Sequence, residues 1–265
     1  MALSPVTAPT AEPITLSEAK THLRVDVTDD DTLITALITA ARQYAETFQR
    51  RVYITQTWEL ILDAWPDGDK IEVPLPPLQS VASIKYYGTD NAEYTMPATD
   101  YFVDTKNSPG RIALAYGKAW PTLTLRPANG IVVRFVAGYG TPFTVDTATD
   151  TLTAVGHTLA NGDKVRLSNS GGALPAGLSA NTDYYVINAS TNTLQLSATS
   201  GGAAIDITGT GTGTHFLGAV PQKVRQAILL LVAHWYETRE PVAVGKLVAQ
   251  VPMTVDALLW QDRVF

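Results

Sequence analysis

Apolar positions recur with two different periods along this chain, and the switches between them lay out its elements. Leu33, Leu37, Ala41, Tyr44 and Phe48, with Ile34, Ile38 and Ala45 beside them, fall on one helical face. They predict a long amphipathic helix that begins at Asp29, Asp30 and Asp31, whose carboxylates favour the positive end of a helix, and stops at about Arg50 or Arg51. A shorter helix precedes it. Thr15-Leu-Ser-Glu18 fits a capping box, in which the Thr15 hydroxyl accepts an N3 amide and Glu18 reaches back, and this helix ends near Arg24. From Gln56 the period shortens. Gln56 to Ala64, Ile71 to Val73, Val81 to Tyr87, Tyr101 to Val103, Arg111 to Ala115 and Ile131 to Ala137 predict a small, mostly antiparallel set of strands. Pro74-Leu-Pro76-Pro77 reads as a rigid extended segment that cannot be a central strand.

Helical spacing returns after Pro221, a residue suited to a first turn because its missing N–H has no partner there. Val224, Ala227, Ile228, Leu231 and Trp235 form a stripe, and Leu229, Leu230, Ala233 and Tyr236 widen it to most of the circumference before the helix ends at Thr238 or Arg239. A helix apolar nearly all round must be covered nearly all round. The domain looks too thin to do this alone, so Val224, Ile228, Leu231, Trp235, Tyr236 and Arg239 are candidate contacts with a neighbouring subunit. Thr254 to Trp260 reads as a short helix capped by Thr254.

Between Gly140 and Ala219 the character of the chain changes. Residues 141–218 are rich in Thr, Ser and Gly and hold seven charged residues. Thr151–Val155, Lys164–Leu167, Tyr184–Ile187, Thr193–Leu196 and Ala204–Ile207 are short alternating runs separated by turn formers, which predicts a small β barrel or sandwich. A change that sharp at both ends signals a module placed inside a loop. The expected fold is therefore α+β: a helical core with a small antiparallel sheet over 14–140 and 219–265, interrupted by an all-β domain over 141–218. Met1 to Pro13, with three prolines, reads as a flexible or extended arm.

Composition narrows the function classes. The 265 residues carry a net charge of −6, which argues against a sequence-reading nucleic-acid binder but suits a surface past which DNA slides. Cysteine is absent, which removes disulfides, thiolate nucleophiles and Cys-based metal sites. The N-terminus lacks the basic start and apolar run of a secretory signal, and the longest apolar run, Ala227 to Ala233, is too short to span a bilayer. A soluble protein with no membrane partner is expected.

No catalytic, metal or cofactor-binding set emerges. His22, His157, His215 and His234 form no His-Glu-x-x-His pattern and no i, i+4 pair; His234, in the apolar helix, reads as a partly buried core residue. Asp29, Asp30 and Asp31 are half of a divalent-metal site at best, and helix capping with solvated charge accounts for them. Gly209-Thr-Gly-Thr-Gly-Thr214 lacks the Lys-Ser/Thr of a phosphate loop and reads as a flexible exit from the β module. No Gly-x-Ser-x-Gly elbow exists. Glu237, Arg239 and Glu240 read as ion pairs at a surface or subunit contact, and Tyr184, Tyr185 and Trp120 fit either sugar stacking or an aromatic core. An enzyme is not expected.

An ordered series of motifs resembles the head–tail connector (adaptor) proteins of long-tailed bacteriophages. It comprises Pro13-Ile-Thr-Leu-Ser-Glu-Ala-Lys-Thr-His-Leu-Arg-Val25, Asp29-Asp-Asp-Thr-Leu-Ile34, Ala40-Ala-Arg42 with Glu46, Gln56-Thr57, Leu75-Pro-Pro-Leu78, Ile84-Lys-Tyr86 and Gly138-Tyr-Gly140. Val220-Pro-Gln222, Ala227 through Glu237, and Val251-Pro252 with Leu258-Leu259 continue it. The resemblance covers 13–140 and 219–265 and departs from the family at 141–218, which looks like a β module of other phage structural proteins. It implies a virion neck protein, assembled in the host cytoplasm as a ring, most often a dodecamer, beneath the portal. Its partners would be further copies of itself, the portal protein and a tail-side stopper or tail-completion protein, with DNA crossing the channel unread. In such adaptors the C-terminal segment reaches toward the portal, which makes Leu258, Leu259, Trp260 and Phe265 the candidate docking residues. The alternative is a binding module whose β domain recognises a glycan or a capsid surface.

Overall fold

A computed structural model describes residues 1–157, 159–170, 172–218, 220–238 and 253–264. Among them the fold is α+β, with four α-helices and fourteen strands in antiparallel pairs. The N-terminal arm is extended and paired rather than free. Strand β1 (Ala2–Thr7) lies antiparallel on β2 (Gln56–Leu62), with Ala2 opposite Ile61 and a bulge between Pro5 and Thr7. An edge position tolerates Pro5, which is why a proline-bearing arm that sequence alone leaves unassigned still makes a strand. Helix α1 (Leu16–Leu23) follows; its Thr15 hydroxyl accepts the Glu18 amide at 3.1 Å, as expected, but the Glu18 carboxylate does not complete the capping box and accepts from Arg166 and Arg225 instead. Helix α2 (Asp31–Gln49) ends on Arg50 in the left-handed conformation (φ 53°).

The strands after α2 build two sheets. β3 (Lys70–Val73), β4 (Leu78–Tyr87), β5 (Glu93–Thr95), β6 (Tyr101–Asp104), β7 (Gly110–Leu114) and β8 (Ile131–Ala137) join β1 and β2 as a five-stranded sheet, β1-β2-β8-β4-β5, and a three-stranded one, β3-β7-β6. Period-2 alternation sets their packing. On β8, Ile131, Val133, Phe135 and Ala137 are buried while Arg134 faces solvent. Those buried residues share one core with Leu60 and Ile84 and with Ile71, Val73 and Ile112 of the smaller sheet.

Residues 141–218 form a closed barrel of β9 (Thr141–Asp146), β10 (Thr151–Thr153), β11 (Lys164–Ser170), β12 (Tyr184–Ile187), β13 (Thr193–Ser197) and β14 (Thr214–Gly218), ordered β10-β13-β12-β11-β14-β9. Leu152, Val165, Leu167, Val186, Leu194 and Leu196 fill it. Three segments differ from expectation. Ala204–Ile207 is not a strand; Ile205 N–H donates to Leu196 O and Ile207 N–H to the Asp150 carboxylate, each at 2.8 Å. The barrel is closed instead by β9 and β14, at the two compositional seams, where Gly- and Thr-rich sequence hides the strand. Because β14 pairs with β9, with Leu217 opposite Thr141, the chain enters and leaves the barrel side by side.

Helices α3 (Gln222–Glu237) and α4 (Met253–Trp260) complete a helical layer with α1 and α2. Ile34, Ile38, Ala41 and Ala45 of α2 meet Val224, Ile228, Leu231 and Val232 of α3 and Val255 and Leu259 of α4 in a second core.

Candidate functional site

The apolar stripe of α3 is covered by this chain's own helices. Val224, Ile228 and Leu231 have no exposed surface, so these three candidate subunit contacts are corrected to core residues. The spacing along α3 carries no sign that α1, α2 and α4 surround it, and their covering makes up for the apparent thinness of the domain. Trp235 and Tyr236, nearer the C-terminal end of α3, are half-buried; the Tyr236 hydroxyl donates to Asp30. Arg239 lies outside the described residues.

The C-terminal segment is likewise fastened to its own chain. Leu259 is fully buried and Leu258 half-buried, so Leu259 is also corrected from docking residue to core. Trp260 remains 54% exposed, and Phe265 lies outside the described residues. The fastening is polar as well as apolar. The Gln49 amide donates to Leu259 O at 2.5 Å and accepts from the Tyr53 hydroxyl at 2.7 Å, while Gln49 O accepts the Val264 amide at 3.0 Å. Arg51 donates to Asp262 O, Lys223 pairs with the Asp262 carboxylate at 2.6 Å, and the Arg263 guanidinium lies over the Phe48 and Trp260 rings. Burial and the nearby Glu46 charge push the Tyr53 hydroxyl far above its ordinary range, so it stays a donor. Trp235, Tyr44, Phe48 and Trp260 form a continuous aromatic row along this face.

Two ionic nodes lie beneath the surface, and sequence reasoning found neither. In the first, Arg42, 5% exposed, donates to Glu12 at 2.7 Å and to Glu46 at 2.7 Å. Glu46 also accepts the Tyr53 amide and the Gln56 side chain. Burial holds the Glu46 carboxyl above the usual carboxylate range, and the Arg42 charge offsets this only in part. In the second, Arg166 of β11 donates to Asp183 at 2.5 Å, to Glu12 O at 3.0 Å and to Glu18 at 2.8 Å; Glu18 also accepts from Arg225 of α3 at 2.6 Å. The contacts of Arg166 and Arg225 with Glu12 and Glu18 join residues more than a hundred apart and leave no local pattern to read, whereas Arg42 and Glu46 are an i, i+4 pair.

The residues weighed for chemistry have structural partners. His215 is buried, its Nδ1 accepting from Asn169 at 2.8 Å and its Nε2 donating to Thr210 O at 3.0 Å. His157 receives the Leu159 amide on Nδ1, His22 is exposed, and His234 is half-buried. Asp31 pairs with Lys20 of α1, so the Asp29–Asp31 cluster ties helices together as well as starting α2. Tyr184 is in the barrel core, and Trp120 stacks on Trp65 with its indole N–H on Gly68 O at 2.7 Å. Among the described residues no group of three or more His, Cys, Asp or Glu side chains is arranged to hold a metal. No described helix is long and apolar enough to cross a membrane.

What α2 leaves outward is unusual. Its exposed residues include Thr32, Leu33, Ala36, Ala40, Gln43 and Thr47, and none of the exposed ones is charged. Its three charged residues, Asp31, Arg42 and Glu46, are all drawn into ion pairs and are not exposed. A helix face that met only water would ordinarily carry charge.

A helical layer lies beside a two-sheet core, with a barrel set between β8 and α3. Residues 13–107 match the family model of phage gp6-like head-tail connector proteins, so the resemblance read from the sequence is shown by an independent comparison. No curated protein matches the chain. Among solved structures, a chain in the neck of an empty gene transfer agent particle, computed with C6 symmetry, is 20% identical with a TM-score of 0.58; the match covers 100% of this chain and 96% of that one. Chains in the virion of a native gene transfer agent particle (19%, TM-score 0.59) and in its neck computed with C12 symmetry (19%, TM-score 0.58) match over the same shares. At this identity the likeness is one of fold, and it takes in the barrel.

Proposed function

We propose that this chain is a structural virion protein of the neck, a head–tail connector that closes into a ring beneath the portal and carries the DNA channel toward the tail. One observation carries the reading: the whole fold, barrel included, matches chains of gene transfer agent particles, two of them from necks computed with cyclic symmetry. The connector family match over 13–107 and a net charge of −6, which repels a DNA backbone, support it. In this reading 14–140 and 219–265 are one discontinuous connector domain and 141–218 is a domain set into it. The adjacent ends of β9 and β14 are what such an insertion requires.

Ring contacts fall to the charge-free outer face of α2, together with Trp235 and Tyr236, in place of the α3 stripe. Portal docking falls to Trp260 with Leu258 at its side, since Trp260 is the exposed end of the aromatic row. A glycan-binding barrel has less support, because Tyr184 is inside the barrel and Trp120 outside it, which leaves only Tyr185, half-buried beneath Lys164, of the three aromatics weighed for it. The test is to mix purified chain with portal protein and examine the product by light scattering and negative-stain microscopy. A ring of high mass is expected. A chain that stays monomeric with portal present would overturn the proposal.

A further inference from the structure

The barrel is joined covalently to the rest of the chain at two neighbouring points, before β9 at Gly140 and after β14 at Gly218. Gly138 (φ 136°) and Gly140 (φ 146°) adopt backbone conformations that L side chains rarely reach. Gly138 and Tyr139 are held to the rest of the chain by bonds to Pro77 O, Tyr53 O and the Gln79 amide, so on this side rotation falls to Gly140. Among the described residues no barrel strand pairs with a strand of the other sheets.

Side chains supply the restraint. Arg166, only 10% exposed at its side chain, uses Nε on Asp183 within the barrel and spreads Nη1 and Nη2 onto two outside segments, Glu12 O and Glu18. The same segment is gripped a second time, as the Glu12 N–H donates to Asn181 Oδ1 at 2.6 Å. Glu12 is in turn held by its carboxylate to Arg42 of α2, and Glu18 by Arg225 to α3. Among the described residues Arg166 is the guanidinium through which the barrel meets the arm, α1 and, at one remove, α2 and α3, beside the Asn169 N–H on Thr10 Oγ1 and Ala180 against the helical core. A planar fork with fixed donor directions can satisfy such an arrangement only at one barrel angle.

We infer that Arg166 is a latch: it fixes the angle of the barrel on the helical layer, and without it the barrel swings about Gly140 and the end of β14. The inference concerns orientation within one chain and stands whether or not the chain forms a ring.

Pulsed electron–electron resonance tests it on the full chain. The natural chain has no cysteine, so Ala82→Cys in β4 and Ala198→Cys after β13, both exposed, accept spin labels without competition. Labelled chain is diluted with unlabelled chain to suppress distances between copies. A single narrow distance distribution is expected with Arg166 present, and one at least twice as broad with Arg166→Ala. Arg166→Lys, which keeps the charge but not the fork, should remain broad. Hydrogen exchange at the Glu12 amide should quicken at least tenfold in both variants, while amides of β12 and β13 keep their protection and so report an intact barrel. A narrow distribution in Arg166→Ala, or a broad one with Arg166 in place, overturns the latch. Loss of protection throughout the barrel in Arg166→Ala would overturn it too, by making Arg166 a residue of barrel folding.

Discussion

Gln49 is without exposure to water, yet it donates to Leu259 O, accepts from Tyr53 and offers its own carbonyl to Val264. Gln49→Ala would strand the Tyr53 hydroxyl and the Leu259 carbonyl inside the protein. Each such orphan costs about 1–3 kcal/mol, so the urea midpoint should fall by the equivalent of ~2–4 kcal/mol, with α4 amides losing protection from exchange first. A second residue-scale expectation concerns acid. Burial raises the Asp183 carboxyl, but the hydrogen bonds and charges of Arg166 and Lys164 outweigh it and hold the group below its ordinary value of 3.8. A lowered folded-state pKa means that the stabilisation is present above the unfolded value and is lost as pH falls through the folded one. Melting temperatures of the natural chain and Asp183→Asn should therefore differ most near neutral pH and converge below about pH 4; a constant gap down to pH 2.5 would refute the assignment. Thr15 as a helix cap was legible because its partner is three residues away. Gln49 and Arg166 were not, because the groups they bind lie 210 and 148 residues away in sequence.

At the scale of elements, period was the reliable signal and composition the misleading one. α1, α2, α3 and the strands from Gln56 to Ala137 other than β5 stand where apolar spacing predicts them, since each buries one face against a neighbour, whereas β5 is exposed throughout. β1, β9 and β14 escaped because each is short and broken by Pro, Thr or Gly, and in each the pairing partner rather than the local sequence makes the strand. α3 shows the opposite failure: its apolar breadth was read correctly, but the surface covering it was assigned to a second chain when α1, α2 and α4 do the work. That correction moves attention to α2. If its outer face is the ring contact, then Ala36→Glu with Ala40→Glu puts two desolvated, unpaired charges into an apolar interface, which is strongly unfavourable. The same residues are exposed in the single chain, where surface substitutions shift stability by about 0.5 kcal/mol or less. The expected result is an unchanged melt for the isolated chain and loss of the ring in the portal-mixing assay. A ring that forms as well with the double variant would show that the contact lies elsewhere.

For the molecule as a whole, the question is whether the barrel is a separate folding unit or a part of the connector core. The geometry favours separateness in one respect. Its interior is a distinct core, and β9 and β14 leave it as neighbours, so a short Gly-Ser bridge from Gly140 to Ala219 can replace 78 residues without stretching the rest. It opposes separateness in another. Arg166, Asn181 and Asn169 of the barrel bond Glu12, Glu18 and Thr10, and Ala180 packs on the helical core. Burial decides between these tendencies, because closure of the barrel satisfies its own strand edges and the helical and two-sheet cores draw nothing essential from it. The bridged connector should therefore fold with native helix content, and the excised 141–218 segment should melt cooperatively by itself. The bridged form loses the Arg166 and Asn181 contacts to the arm but keeps the Glu18–Arg225 and Glu12–Arg42 pairs. A loss of about 1–3 kcal/mol follows from those broken bonds, read as a lowered urea midpoint with faster exchange at Glu12 and little change in β8. Failure of both pieces to fold would mean that connector and barrel make one cooperative unit, with Arg166 at its centre rather than at its joint.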